Sequence, residues 1–309
     1  MALKDKIALG MSLPHRSPEP IEVAVVRQVA QRAEALGFRE LWVTNNTLDR
    51  RANCLDSLTL LSYAAALTSK IRLGISMLML PTYSPIHVAH QVATLDYLSG
   101  GRAVLGVAIG KECHYDDFQI PRERRVRRFL EQVELIKALW TQPSVTYRGE
   151  FFKLEDGIMR PKPVQKPHPP VWMGGGHPDA LKRAAKIADG WMASGGGGSN
   201  AASFTNSVRL IRAALEKAGR DPASFPISKR VFMSVHERPE IAQAEVQRWY
   251  RDMYDISDMT TQGGVYGTAE QVRAQLEELV AAGATHLLLS PVTRYREQLE
   301  ALAEVVAMP

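Results

Sequence analysis

The 309-residue chain reads as a (β/α)8 TIM barrel, an α/β fold in which eight parallel strands alternate with helices. Three observations predict this class. Strand-like apolar runs recur along the whole chain, helical patterns fill the intervals, and the joint from helix to strand repeats in form. Glu34–Val43 reads EALGFRELWV and Val280–Ser290 reads VAAGATHLLLS. Each ends a helix, places a glycine where positive φ is tolerated, and starts a short apolar strand. An open doubly wound sheet shares this local pattern, because sequence does not show closure.

The strand-like runs, in order, are Ile7–Met11, Glu40–Thr44, Arg72–Met77, Ala103–Ile109, Val171–Gly174, Gly190–Ala193, Arg230–Val235 and His286–Ser290. Between them, Ile21–Leu36 places Val26, Val29, Ala30, Ala33 and Leu36 at helical spacing. Phe129–Trp140 does the same with Phe129, Val133, Ile136 and Leu139. Ala201–Ala218 stops at Gly219, and Thr268–Ala282 opens with Thr268 and Gln271 as a capping box. Two stretches interrupt the alternation of a single domain spanning 1–309. One, at about 142–170, follows the fourth helix and carries a proline run after a small hairpin expected around Tyr147–Phe152. The other, at about 250–266, precedes the eighth helix and could serve as a lid.

Composition narrows the function classes. The chain is 45% hydrophobic and 23% charged, which excludes a disordered tail, a collagen-like fibre and a coiled coil. Cys54 and Cys113, the two cysteines, exclude a disulfide scaffold and a four-cysteine zinc site. The richest apolar run, Ile71–Pro81, is too short to span a membrane, and the start has no cleavage signal, so a soluble cytoplasmic protein is expected. The net charge of +5 is mild. Its one dense cluster, Arg122, Arg124, Arg125, Arg127 and Arg128, lacks interleaved aromatics, so an anionic small molecule is a better partner than nucleic acid.

A barrel builds its active site at the C-terminal ends of its strands. That places His15, Asn45, Asn46, Ser76, Met77, Tyr83, Lys111, Glu112, His114 and Tyr115 at the mouth. The strongest local signal is WMGGGHPDALKRAA, where a strand ends, Gly174, Gly175, Gly176 and His177 follow, and Pro178 starts a helix. Glycine amides at an electropositive helix start make a phosphate cradle. The glycine-rich loop Ser194–Gly198 could close it. No Walker or Rossmann glycine pattern is present, and no HExxH or GxSxG. His87 and His90 lack a third ligand, so no metal is expected. Glu112, Asp116 and Asp117 fit loop solvation better than catalysis.

Four segments carry a family resemblance. They are IRLGISMLMLPTYSPIHVAHQVATLDYLSGGRAVLGVAIG (Ile71–Gly110), ALW (Ala138–Trp140), PKPVQKPHPPVWMGGG (Pro161–Gly176) and KIADGWMAS (Lys186–Ser194). In this order they resemble the bacterial luciferase-like monooxygenase family. LDYLSGGR with LGVAIG and PKPVQKPHPP is most similar to its coenzyme F420-dependent oxidoreductase branch. The resemblance implies a (β/α)8 barrel, an insertion after the fourth helix, and F420 or FMN as cofactor. It implies a non-prolyl cis peptide at Ser76–Met77 beneath the ring and a phosphate loop at Gly174–His177. An Asp-His pair common at the end of strand two is here Asn45-Asn46, and Lys111 stands where some relatives carry an acid after strand four. These departures leave the proton donor open and spare the cofactor frame.

The expected chemistry is hydride transfer to or from a small organic substrate, bound near His15, Asn46, Lys111 and His114, with His114 or Lys111 donating the proton. The Arg122–Arg128 cluster would meet the polyglutamate tail of F420. Two other classes compete: an FMN-dependent monooxygenase fed by a flavin reductase, and a flavin-binding protein that has lost its chemistry. A homodimer is expected from the family.

Overall fold

The computed structural model describes residues 2–196, 200–257 and 263–307. Eight parallel strands form its centre: β1 (Ala8–Ser12), β2 (Glu40–Val43), β3 (Arg72–Ile75), β4 (Ala103–Ala108), β5 (Val171–Gly174), β6 (Gly190–Ala193), β7 (Ile227–Val235) and β8 (His286–Pro291). Each bonds to the next, and β8 returns to β1. The seam between halves is made by Val171, Trp172 and Met173 of β5 against Leu105, Gly106 and Val107 of β4. The ring is therefore closed, which decides against the open sheet.

The helices surround this ring: α1 (Val23–Leu36), α2 (Ser57–Leu67), α3 (Pro85–Ser99), α4 (Arg125–Thr141), α5 (Pro178–Ile187), α6 (Ala201–Lys217), α7 (Pro239–Tyr254), α8 (Ala269–Ala281) and α9 (Tyr295–Val306). The apolar stripe expected on the first, Val26 to Leu36, is buried, and Gly37 ends it at φ 87°. The Thr268–Gln271 capping box forms, with Gln271 Oε1 accepting from the Thr268 amide at 2.9 Å. The hairpin after α4 pairs Val145–Arg148 with Lys153–Gly157.

Three expectations need correction. The third run does not extend unbroken to Met77: β3 stops at Ile75, the Ser76–Met77 peptide is cis, and Leu78–Met79 then pairs with β4. Strand seven starts at Ile227, three residues early, because buried Ser228, Lys229 and Arg230 disguise its first half as polar. The second insertion, expected at about 250–266, begins inside α7, whose Ala242, Val246, Tyr250 and Met253 are buried. Residues 258–262 of it lie outside the described residues, and Val265–Gly267 pairs in parallel with β7 as its third partner, beside β6 and β8.

The barrel interior is filled by two indoles. Trp42 and Trp172 lie 5.1 Å apart between ring centroids, both buried, with His286 edge-on to each. His286 is held by Ser228 Oγ at 2.7 Å and Glu40 Oε2 at 3.0 Å, and its charge lowers the Glu40 carboxyl against the opposing effect of burial. Room for the indoles comes from missing side chains. A Cβ at Gly10 would fall 2.7 Å from Trp42, one at Gly74 2.4 Å from Trp42, and one at Gly190 2.7 Å from Trp172.

The LSGGR motif and the proline run are bound together by buried charge. Arg102 donates to the carbonyls of Ser99, Ile71, Ala65 and Thr68 and to Thr68 Oγ1. It thereby satisfies the last carbonyls of α2 and opposes the negative helix end. Asp96, fully buried, accepts from the amides of Ala103, Val164 and Gln165 and ties the insertion to β4. Glu131 accepts from the amides of Glu150 and Phe151 and ties the hairpin to α4.

Overpacking a filled interior costs about 1–3 kcal/mol. Gly74→Ala is therefore expected to lower the unfolding free energy by that amount, and to cost clearly less in a Trp42→Leu background. Equal costs in the two backgrounds, measured by urea unfolding, would show that the indole is not the obstacle.

Candidate functional site

A cavity of about 830 Å³ opens at the C-terminal ends of the strands. Asn45, Asn46, Ser76, Met77, Lys111 and His114 line it, and Gly174, Gly175, Gly176 and His177 form its opposite wall. These residues, from four separate loops, are thus brought to one place by the closed ring. His15 is not among them.

The glycine loop has the backbone geometry that an anion site requires. Gly174 ends β5, and its Cβ would meet Met77 Cγ at 2.9 Å. Gly175 holds φ +122°, a conformation that other residues rarely adopt. Gly176 faces open space. The amides of Gly175, Gly176 and His177 donate to no acceptor among the described residues, and they stand directly before α5, where the helix start adds positive potential. Trp191 Nε1 donates to the Gly175 carbonyl at 2.8 Å, fixing the loop's orientation. The second glycine-rich loop contributes Ser194 to the cavity wall, but 197 and 198 of it lie outside the described residues.

Across the cavity, Ser76 and Met77 form a shelf. Close approach of β4 beneath it depends on Gly106, whose Cβ would fall 1.9 Å from the Ile75 carbonyl oxygen. Asn45 is buried beside this shelf. Its Nδ2 donates to the Tyr83 hydroxyl at 2.9 Å, while its Oδ1 is buried without a donor. A buried acceptor left unmet is costly, so this oxygen awaits an N–H or O–H from a bound molecule. Asn46 donates to Asp49 Oδ2 at 3.0 Å.

His114 and Lys111 stand together, with unequal prospects as proton donors. The Lys111 amide donates to His114 Nδ1 at 3.0 Å. That bond occupies the Nδ1 lone pair and places the imidazole hydrogen on Nε2. A second ring proton would face an amide hydrogen, and burial, then the Lys111 charge, holds the imidazole below its usual range. The Nδ1 bond leaves Nε2 as the ring nitrogen free to face the cavity, and the lowered pKa favours the neutral ring, which suits His114 less well to carrying a proton. Lys111 is exposed, lines the cavity and carries three ammonium hydrogens.

His15 requires a larger correction. Its Nδ1 donates to the Leu13 carbonyl at 2.6 Å, and its Nε2 accepts from the Thr44 amide at 2.8 Å. Both nitrogens are committed, and burial, aided by Arg230, pushes its pKa down to about 3. It joins the ends of β1 and β2 as a structural group and has no proton to give at neutral pH.

The arginine cluster is also corrected. Arg122 pairs with Asp116, Arg124 with Glu150, Arg125 with Glu112 and Arg127 with Glu131. Arg128 packs over Phe151 and Phe152. The surface is therefore locally neutralised and offers little to a polyglutamate tail.

Sequence reading passed over several residues of this site. Arg16, Arg183 and Tyr254 line the cavity. Lys229, on β7, donates to the Ser194 carbonyl at 2.5 Å, and burial brings its pKa down to about 7. The signal for Lys229 and Arg230 was a pair of cations inside an otherwise apolar strand.

Comparison with known proteins agrees with this geometry. The luciferase-like monooxygenase family model matches residues 7–260. The chain is 28% identical over 301 residues to an F420-dependent glucose-6-phosphate dehydrogenase of Kineococcus radiotolerans, covering 88% of each chain. It is 29% identical over 230 residues to an FMNH(2)-dependent dimethylsulfone monooxygenase of Pseudomonas putida, covering 71% of this chain and 60% of that one. The crystal structure of monooxygenase RslO1 from Streptomyces bottropensis superimposes with a TM-score of 0.84 at 22% identity, over 97% of this chain and 99% of that one.

Two measurements test the site. Gly176→Glu puts a carboxylate over three unmet amides without touching packed atoms, so it is expected to weaken binding of a phosphorylated flavin or deazaflavin at least tenfold with no change in melting temperature. Unchanged affinity would move the phosphate elsewhere. For His15, the unfolded chain takes up a proton near pH 6.5 that the folded chain refuses until about pH 3. Stability therefore falls on acidification across that window, by at most about 1.4 kcal/mol per pH unit. Imidazole 15N shifts are expected to keep the neutral Nδ1–H form at pH 5; a protonated ring there would contradict the buried arrangement.

Proposed function

The chain belongs to the luciferase-like monooxygenase family, and from that membership we propose an F420-dependent oxidoreductase that exchanges a hydride between the deazaflavin and a small organic substrate. The observation that carries the reading is the pairing of an unmet amide cradle with an unmet buried acceptor across one cavity. The residues fit a phosphorylated ring cofactor: Gly175, Gly176 and His177 for its phosphate, and Ser76, Met77 and Asn45 for its ring. When bound, the deazaflavin supplies the hydride-transferring carbon. The choice of F420 over FMN is supported by the relative matched nearly end to end, whose printed name specifies F420.

The protein's own part is binding, orientation and proton handling. Met77, Met79, Ile109 and Phe129 give the cavity apolar walls that reduce water around the transfer. The Trp191 and Tyr83 hydrogen bonds hold the cradle and Asn45 in place before anything binds. Lys111 Nζ holds the proton delivered to, or taken from, the substrate oxygen. His114 Nε2 orients that oxygen as a neutral donor. FMN-dependent monooxygenation is the second reading, favoured by the similarity to the dimethylsulfone monooxygenase.

Titration of the purified protein with F420 and, separately, with FMN, followed by fluorescence, is expected to give at least tenfold tighter binding of F420. Preference for FMN would install the second reading. Lys111→Met is expected to lower kcat by about 10²- to 10⁴-fold while leaving cofactor affinity within about twofold. His114→Ala should cost less in kcat and leave its pH profile unmoved; a shifted profile would return His114 to proton transfer.

A further inference from the structure

Behind Arg16 the cavity is joined by a narrow niche of about 10 Å³, room for one oxygen-sized group. Arg16, Thr44 and Tyr254 belong to both walls. The niche's inner side is made by Arg230 and Trp249.

Two side chains here carry unmet N–H donors, Arg230 and Trp249. Arg230 is only 9% exposed. Its Nε donates to Ser290 Oγ at 3.1 Å, and its guanidinium carbon lies 4.7 Å from the Phe232 ring centre. Its terminal nitrogens meet no acceptor among the described residues. The Trp249 indole nitrogen is buried and likewise unmet. Arg16, also 9% exposed, donates through Nε to Asp49 at 2.5 Å and lies over Tyr254. Asp49 is thus one carboxylate for two buried guanidinium groups. The neighbouring His15 is neutral, and burial keeps the Tyr295 hydroxyl protonated, its pKa pushed up to about 12. A buried cation without a counter-ion is expensive to maintain, and water alone compensates it poorly.

We propose that this niche binds a carboxylate, and that the carboxylate belongs to the substrate. The second half rests on the function proposed above; the first does not. A carboxylate matches the planar guanidinium fork and accepts from Arg230 and the Trp249 N–H together. One of its oxygens fills the niche while its carbon skeleton projects past Arg16 into the main cavity. A tetrahedral phosphate is too wide for so small a recess. The substrate class that follows is a small organic acid whose carboxylate docks at Arg230 and whose reactive carbon lies in the main cavity.

The test uses the full chain without cofactor and sodium formate as the probe, against chloride and inorganic phosphate at constant ionic strength. Formate is expected to raise the melting temperature saturably, and chloride and phosphate to do so at least tenfold more weakly in midpoint concentration. Arg230→Met is expected to melt higher than the wild type in chloride, because an uncompensated charge is gone, and to lose the formate response. Trp249→Phe keeps the charge and is expected to weaken the formate midpoint at least threefold, so the idea stays testable should Arg230→Met fold poorly. Equal responses to formate and chloride, a stronger response to phosphate, or a formate response surviving in Arg230→Met overturns the assignment. Because no cofactor is present, these outcomes are independent of the F420 titration. Should formate bind while F420 does not, the niche stands and only its link to the proposed substrate falls.

Discussion

Two indoles packed at a tilt inside a ring of strands fix the middle of the barrel on which the rest is arranged. Trp42 and Trp172 occupy space that barrels more often fill with layers of branched aliphatic side chains, and they fit because Gly10, Gly74 and Gly190 withdraw theirs. Below the indoles, Glu40, His286 and Ser228 form a satisfied polar chain. Met77, which lines the cavity, packs against this cluster, so the shelf at Ser76–Met77 rests over the indoles, with Gly106 allowing the close approach of β4.

Buried charges then hold the outer parts in register. Arg102, Asp96 and Glu131 are each enclosed and each spend their hydrogen-bonding capacity on backbone groups. Through them the proline run and the hairpin are attached to β4 and α4, next to the loop that carries Lys111 and His114. The loops that bear chemistry are thus short spans between fixed points, which suits a site where small misplacements are costly in rate. Arg230 differs from Arg102 in its bonding: both terminal nitrogens of Arg102 have acceptors, while those of Arg230 meet none among the described residues.

Much of the fold was legible because barrel strands and their helices obey local rules: a buried face at helical spacing, a glycine at the joint, a capping box. Gly174–His177 was legible for the same reason, as a strand end, a glycine turn and a proline-led helix start, which the structure has there. What stayed hidden were features decided by tertiary contact. The tautomer of His114 depends on one amide, and the neutrality of His15 on burial, on Arg230 and on the Thr44 amide, all set by other strands. The arginine cluster looked free because its carboxylates come from residues before and after it. Lys229 was passed over because a cation in a central strand reads as the absence of a strand, and Arg230 was read as the first residue of that strand without a role. Helix α7 was missed in a stretch whose polar residues outnumber its buried four.

The groups that would grip the phosphate are main-chain amides, and the proton-handling groups are side chains on separate loops. Exchange of one amino acid for another can delete an ammonium or an imidazole, but it cannot delete a peptide N–H except by introducing proline. Divergence along such a lineage would erase reactivity long before it erased attachment. A descendant that had lost every acid and base at its rim would still carry its pigment, ready for another trade.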